Sequence, residues 1–105
     1  MKDVAGISHE AMADAASEAA VHMRALSNPS RLLLLCQLVE GEESVGELEL
    51  ALNLGQAYVS QQLARLRSEG LVSAERDGRT VRYSLADSRV VPVLMVLYEQ
   101  FCSPS

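Results

Sequence analysis

The 105-residue sequence predicts a mostly α-helical domain with one small β-hairpin. Three observations carry this. Helical spacing or helix-capping residues mark four stretches before residue 70. An Asp77-Gly78 pair then sits between two short β-rich runs, "LVSAER" and "RTVRYSL", a strong hairpin signal. The last stretch, "DSRVVPVLMVLYEQFC", is again helical and strongly apolar. Two short helices joined by a glycine-containing turn read as helix-turn-helix. A hairpin directly after such a unit makes a winged helix-turn-helix, here in the order four helices, two strands, one helix. The length fits a single domain covering residues 1–105.

Residues 1–9 are expected to be disordered. From Glu10 to Leu26, the residues Met12, Ala16, Ala19, Met23 and Leu26 line one helical face. The seam is small-sided, so a second helix can approach closely. A domain this small gains from burial between subunits, which makes the seam a candidate subunit interface. In "SNPSRLLLLCQLVEGEE", Pro29 suits a first helical turn and Ser27 or Asn28 can cap it. This helix runs to about Glu40, and Gly41 stops it. Leu32, Leu33, Leu35, Cys36 and Val39 make it apolar on most sides, so it is expected in the core. Ser44 and Glu47 form a capping box for a short helix to about Leu52. After the "NLG" turn, a helix runs from Gln56 to Glu69 and Gly70 ends it. Asp87 or Ser88 caps the last helix, which reaches about Cys102 with Pro92 near its first turn.

The chain is acidic, with a net charge of −5, but the charge is uneven. Residues 1–55 hold 3 basic and 9 acidic side chains, whereas residues 56–85 hold 5 arginines and 3 acids. Phosphate contacts act within about a Debye length, ~8–10 Å, so the local balance matters more than the total. On a helical wheel, Val59, Leu63 and Leu66 face inward. Ala57, Tyr58, Gln61 and Arg65 lie opposite, with Ser60 and Gln62 on the flanks. Gln pairs with adenine and Arg with guanine in the major groove. Ser60 and Tyr58 can reach phosphates, and the small Ala57 lets the backbone approach closely. An ordinary solvated helix face has the same pattern. The hairpin shifts the balance: Arg76, Arg79 and Arg82 lie on or beside its tip with few acids, and can enter a minor groove or hold phosphates.

No phosphate loop is present, nor a His placed to activate Cys36 or Cys102, so enzymatic activity and a cofactor are not expected. The most apolar runs are too short to span a bilayer, and the first 20 residues lack a signal-peptide pattern. A cytoplasmic protein without a membrane partner is expected.

The segments "LSNPSRLLLL", "ELELALNLGQAYVSQQLARLRSEGLV" and "DGRTVRYSL" resemble the ArsR/SmtB family of bacterial winged-helix repressors, over about residues 20–102. The resemblance implies a homodimer joined by the first and last helices, 10–26 and 88–102, operator double-stranded DNA as partner, and an inducer that releases it. It also implies that Gln56, Tyr58, Ser60 and Gln61 read bases or phosphates and that Arg79 is the wing contact.

Many such relatives sense metals. Here the segment "EESVGEL" holds Ser44 and Val45 where those sites carry thiols, and Arg89 follows Asp87 where a His would help. Soft metals want several thiolate or imidazole ligands, and only His9 and His22 exist. No metal site is expected, and a metal-responsive repressor is an alternative. On their own, Cys36 reads as a small buried hydrophobe and Cys102 as a tail residue. A structural disulfide is disfavoured in a reducing compartment. Their placement, however, is similar to the SqrR/BigR-like dithiol branch of the family. That branch implies low-molecular-weight persulfides as inducer, a polysulfide bridge, typically a tetrasulfide, between Cys36 and Cys102, and sulfide-responsive target genes. Tyr98, one turn before Cys102, either borders the thiol pocket or packs as an interface aromatic. A disulfide-forming peroxide sensor is the near alternative. An anti-repressor or protein-interaction winged helix is the alternative of another class.

Overall fold

A computed structural model describes residues 6–102. Helix α1 spans His9–Leu26, with Ser8 as its cap, its side chain accepting from the Ala11 amide. Of the residues 1–9 expected to be disordered, 1–5 lie outside the described range, whereas Gly6 and Ile7 are placed, Ser8 caps α1 and His9 is its first residue. The first twelve residues of α1, 9–20, are all exposed, and Ala25 is its one buried residue. Its N-terminal half projects from the core, and the chain measures 53 × 35 × 20 Å. Its radius of gyration, 15.7 Å, exceeds the ~13 Å of a compact domain of this length. A long helix with an uncovered apolar seam is what a subunit interface needs.

Asn28 caps α2 (Pro29–Val39) by accepting from the Arg31 amide, and Pro29 takes the first position. The core side of α2 differs from expectation. Leu34, Leu35 and Leu38 are buried together with Arg31, whereas Leu33, Cys36 and Val39 are exposed. Nearly every position of α2 is apolar, so periodicity alone could not choose its inward face. The capping box at Ser44 and Glu47 is present in full and opens α3 (Val45–Leu52). Asn53 ends α3 in the left-handed region, with φ 54, which asparagine tolerates better than most residues. Helix α4 (Gln56–Ser68) follows, and its Val59, Leu63 and Leu66 are fully buried. Each such burial is worth about 1.5–3 kcal/mol, so these three side chains hold α4 in place and leave its polar face to solvent.

The hairpin is part of a three-stranded antiparallel sheet in the order β1-β3-β2. β1 is the two-residue Glu43–Ser44, β2 is Val72–Asp77 and β3 is Thr80–Leu85. The sequence reading missed β1, which is too short to show an alternating pattern. It pairs Glu43 with Tyr83 and Ser44 with Arg82, fastening the wing to the start of α3. Asp77 pairs with Thr80, so the two-residue loop is Gly78-Arg79, one position later than the Asp-Gly signal marks. Gly78 has φ 64, a conformation that costs a glycine little. The last helix, α5 (Val90–Cys102), buries Val90 and Leu94 in the core. Beyond them Tyr98 and Phe101 emerge, the latter 82 % exposed. Like α1, α5 carries an apolar face that the single chain does not cover.

Candidate nucleic-acid interface and cysteine cleft

On α4, Gln56, Ala57, Tyr58, Ser60, Gln61 and Arg65 are all exposed, as the helical wheel requires. Gly55 caps α4 without a side-chain hydrogen bond, so the first-turn amides are open to an acceptor. A helix start of this kind favours an anionic group such as a phosphate. Arg65 is partly engaged, its Nε 3.3 Å from Glu69 Oε1. Gln62 is placed differently: it is half-buried, and its Oε1 accepts from Arg31 Nη1 at 3.1 Å.

On the wing, Arg76 and Arg79 are exposed and have no ion-pair partner among the described residues. Arg82 does not lie at the tip. It is two residues into β3, and its guanidinium turns back toward α3. Its Nε lies 3.0 Å from Glu42 Oε1, its Nη2 lies 3.1 Å from Glu47 Oε1, and Nη2 also donates to the Glu42 carbonyl. The capping amide of Ser44 and the Arg82 guanidinium together hold the Glu47 carboxyl below its ordinary value. Arg82 thus fastens the wing to the helix-turn-helix. Sequence counting treated all three wing arginines alike because strand register was not yet known.

The two cysteines are far apart in sequence but share one apolar cleft of about 430 Å³. α1 and α2 contribute Leu26, Leu32 and Leu33 around Cys36, and α5 contributes Tyr98 and Phe101 around Cys102. Both thiols are free and both residues are exposed. Burial against the leucine wall pushes the Cys36 thiol up from its ordinary value, and negative charge on Cys102 pushes the same way. Cys36 is therefore mostly protonated at neutral pH, and its thiolate is costly to form. Tyr98 lines this cleft and is also exposed.

A charged cluster joins α1 to the start of α5. Arg89 grips Asp87 through Nε at 3.0 Å and Nη2 at 2.7 Å, and reaches Glu18 Oε1 at 2.9 Å. His22 Nε2 lies 3.2 Å from Asp87 Oδ2. The guanidinium holds the Asp87 carboxyl far below the usual carboxylate range. Arg89 thus meets Asp87 as a cation, and a guanidinium cannot ligate a metal. Among the described residues no group of three or more His, Cys, Asp or Glu is arranged to hold a metal ion. None of their helices is long and apolar enough to cross a membrane.

A helix-turn-helix with a fastened hairpin and an open polar helix face is a winged-helix DNA-binding domain. The pattern of the arsR family of bacterial regulatory proteins matches residues 28–74. The chain is 40% identical, over 97% of its length and 87% of the relative's, to a biofilm growth-associated repressor of Agrobacterium fabrum. It superposes on the crystal structure of the transcriptional repressor BigR from Xylella fastidiosa with a TM-score of 0.88. That match is 41% identical and covers 93% of this chain and 100% of that one. It also matches the solution structure of a homodimeric winged helix-turn-helix DNA-binding domain from Mycobacterium bovis, a possible ArsR-family regulator. There the TM-score is 0.72 and the identity 31%, over 90% of this chain and 86% of that one. The chain belongs to the arsR family of bacterial regulatory proteins. Its relatives are regulators of transcription, not enzymes.

Proposed function

We propose that the protein is a homodimeric, cytoplasmic transcriptional repressor that binds operator DNA when reduced and leaves it when sulfane sulfur bridges Cys36 and Cys102. The observation that carries this reading is the single apolar cleft lined by both thiols, one from α2 and one from α5. α2 packs on α3 and α4, while α5 carries an exposed apolar face suited to the dimer. A bridge across the cleft ties the reading unit to the dimer helix. Operator half-sites lie about 34 Å apart, so a small rotation of one reading helix misplaces the other.

The chemistry balances with a low-molecular-weight persulfide, RSSH, as the sole reactant. Each thiolate attacks the outer sulfur of one RSSH, takes up that sulfur and expels RS⁻, which is protonated to RSH. A third RSSH accepts two electrons and two protons as the two cysteine persulfides join, giving RSH and H₂S. Three equivalents of RSSH thus leave a four-sulfur link, three RSH and one H₂S. A longer link also spans gaps that a plain disulfide, limited to Cα separations of about 4.4–6.8 Å, cannot. In the reading helix, Gln56, Tyr58, Ser60 and Gln61 take the groove-facing roles, and Arg76 and Arg79 hold phosphates beside it.

Fluorescence anisotropy on promoter DNA from the protein's own locus tests the proposal at fixed salt. Reduced protein is compared with protein treated with glutathione persulfide, hydrogen peroxide or zinc. Release by persulfide alone, reversed by dithiothreitol and lost in Cys36→Ser and in Cys102→Ser, supports it. Equal release by peroxide makes the protein a general thiol-oxidation switch, and persulfide release that survives either serine variant ends the bridge model.

A further inference from the structure

One buried charge belongs neither to the cleft nor to the DNA-facing surface. Arg31 is 5 % exposed and is the charged side chain buried in the core of the described residues. No carboxylate among those residues pairs with it. Its Nε donates to the Ala25 carbonyl at 3.0 Å, its Nη2 to the Arg24 carbonyl at 3.2 Å and its Nη1 to Gln62 Oε1 at 3.1 Å. Arg24 and Ala25 lie in the last turn of α1, whose carbonyls carry the negative end of the helix dipole; the Arg24 carbonyl also accepts from the Ser27 amide and hydroxyl. A buried guanidinium is costly unless its N–H groups are held in good geometry. The three helices α1, α2 and α4 therefore share one low-energy arrangement around this side chain.

We infer that Arg31 is a positioning residue that sets the reading helix α4 against the dimer helix α1, with Gln62 as its hold on α4. The planar fork of arginine suits this role. One edge satisfies the end of α1 while the other reaches α4, and the Cα of Arg31 is fixed by the Asn28 cap of α2. Gln62 then serves the protein interior, not a base edge. α1 carries the exposed Met12–Met23 seam, so the direction of α4 relative to the dimer axis is referred through this contact. The inference rests on DNA binding through α4 and is independent of the sulfur chemistry.

Removing Arg31 itself risks the fold, so the test uses Gln62. Gln62→Glu keeps an acceptor for Arg31 and adds opposite charge. Gln62→Met keeps the length and removes the acceptor. Circular dichroism and dimer mass confirm the fold, and anisotropy is measured at several salt concentrations on the locus promoter and on a scrambled duplex. The inference expects Gln62→Glu to bind the promoter within about twofold of the parent. It expects Gln62→Met to bind about tenfold more weakly, with an unchanged salt slope and a smaller loss on scrambled DNA. A tenfold loss in folded Gln62→Glu would place the side chain against DNA and overturn the inference. Full promoter affinity in Gln62→Met would overturn it too.

Discussion

Cys36 and Cys102 share a cleft but not an environment. The leucine wall raises the Cys36 thiol above its ordinary value of 9.0, and the thiolate is the reactive form. Alkylation of Cys36 in the Cys102→Ser variant should keep accelerating as pH rises from about 7 to 9, because burial still holds its thiol up. A plateau by pH 7.5, followed by mass spectrometry, would mean that an unseen group activates it. The sign for stability is separate. Because the folded value is raised, this thiol contributes fully below the ordinary value, and the contribution fades as pH rises through the folded one. At the same scale, Arg79 and Arg82 have the same charge and different surroundings. Arg79→Gln should flatten the salt dependence of promoter binding by about 0.9 for each wing of the dimer. Arg82→Gln, whose parent side chain is taken up by Glu42 and Glu47, should weaken binding without changing that slope.

At the scale of elements, the reading unit depends on how its helices begin. Ser44→Ala removes the side-chain acceptor for the Glu47 amide and should cost about 1 kcal/mol, read from the urea midpoint. This cap was legible in sequence, as were Pro29 at the start of α2, with its cap open between Ser27 and Asn28, and the inward Val59, Leu63 and Leu66 of α4. Caps and amphipathic spacing are local properties, and local sequence carries them. The inward face of α2 was not legible, because "RLLLLCQLV" offers leucines on almost every side and the choice falls to neighbouring helices. Arg31 was missed for the same reason: its partners lie on α1 and α4, and no periodic rule places a charge inside. Arg82 and Gln62 were legible as polar surface residues but not as internal ties, since that depends on the register with β1 and on the rotation of α4.

The whole molecule is a small core flanked by two apolar helices that need covering. Met23→Glu, at a seam residue already exposed in the single chain, should leave the fold intact and shift sedimentation to the monomer. Promoter affinity should then fall by about 10²-fold or more, because each half-site loses its linked neighbour. The cleft and its two thiols were legible only as a pair of candidates; the shared wall comes from how α5 packs beside α2.

Under the proposed function, the uneven charge of the chain would also shape how the promoter clears. With an acidic body and few unpaired cations beside α4, the dimer has little hold on arbitrary duplex, since such hold scales with phosphates neutralised. A dimer that leaves its operator is not detained on neighbouring DNA. On the proposed sulfur chemistry it would diffuse away, and rebinding would wait on reduction of the bridge, not on the length of a slide.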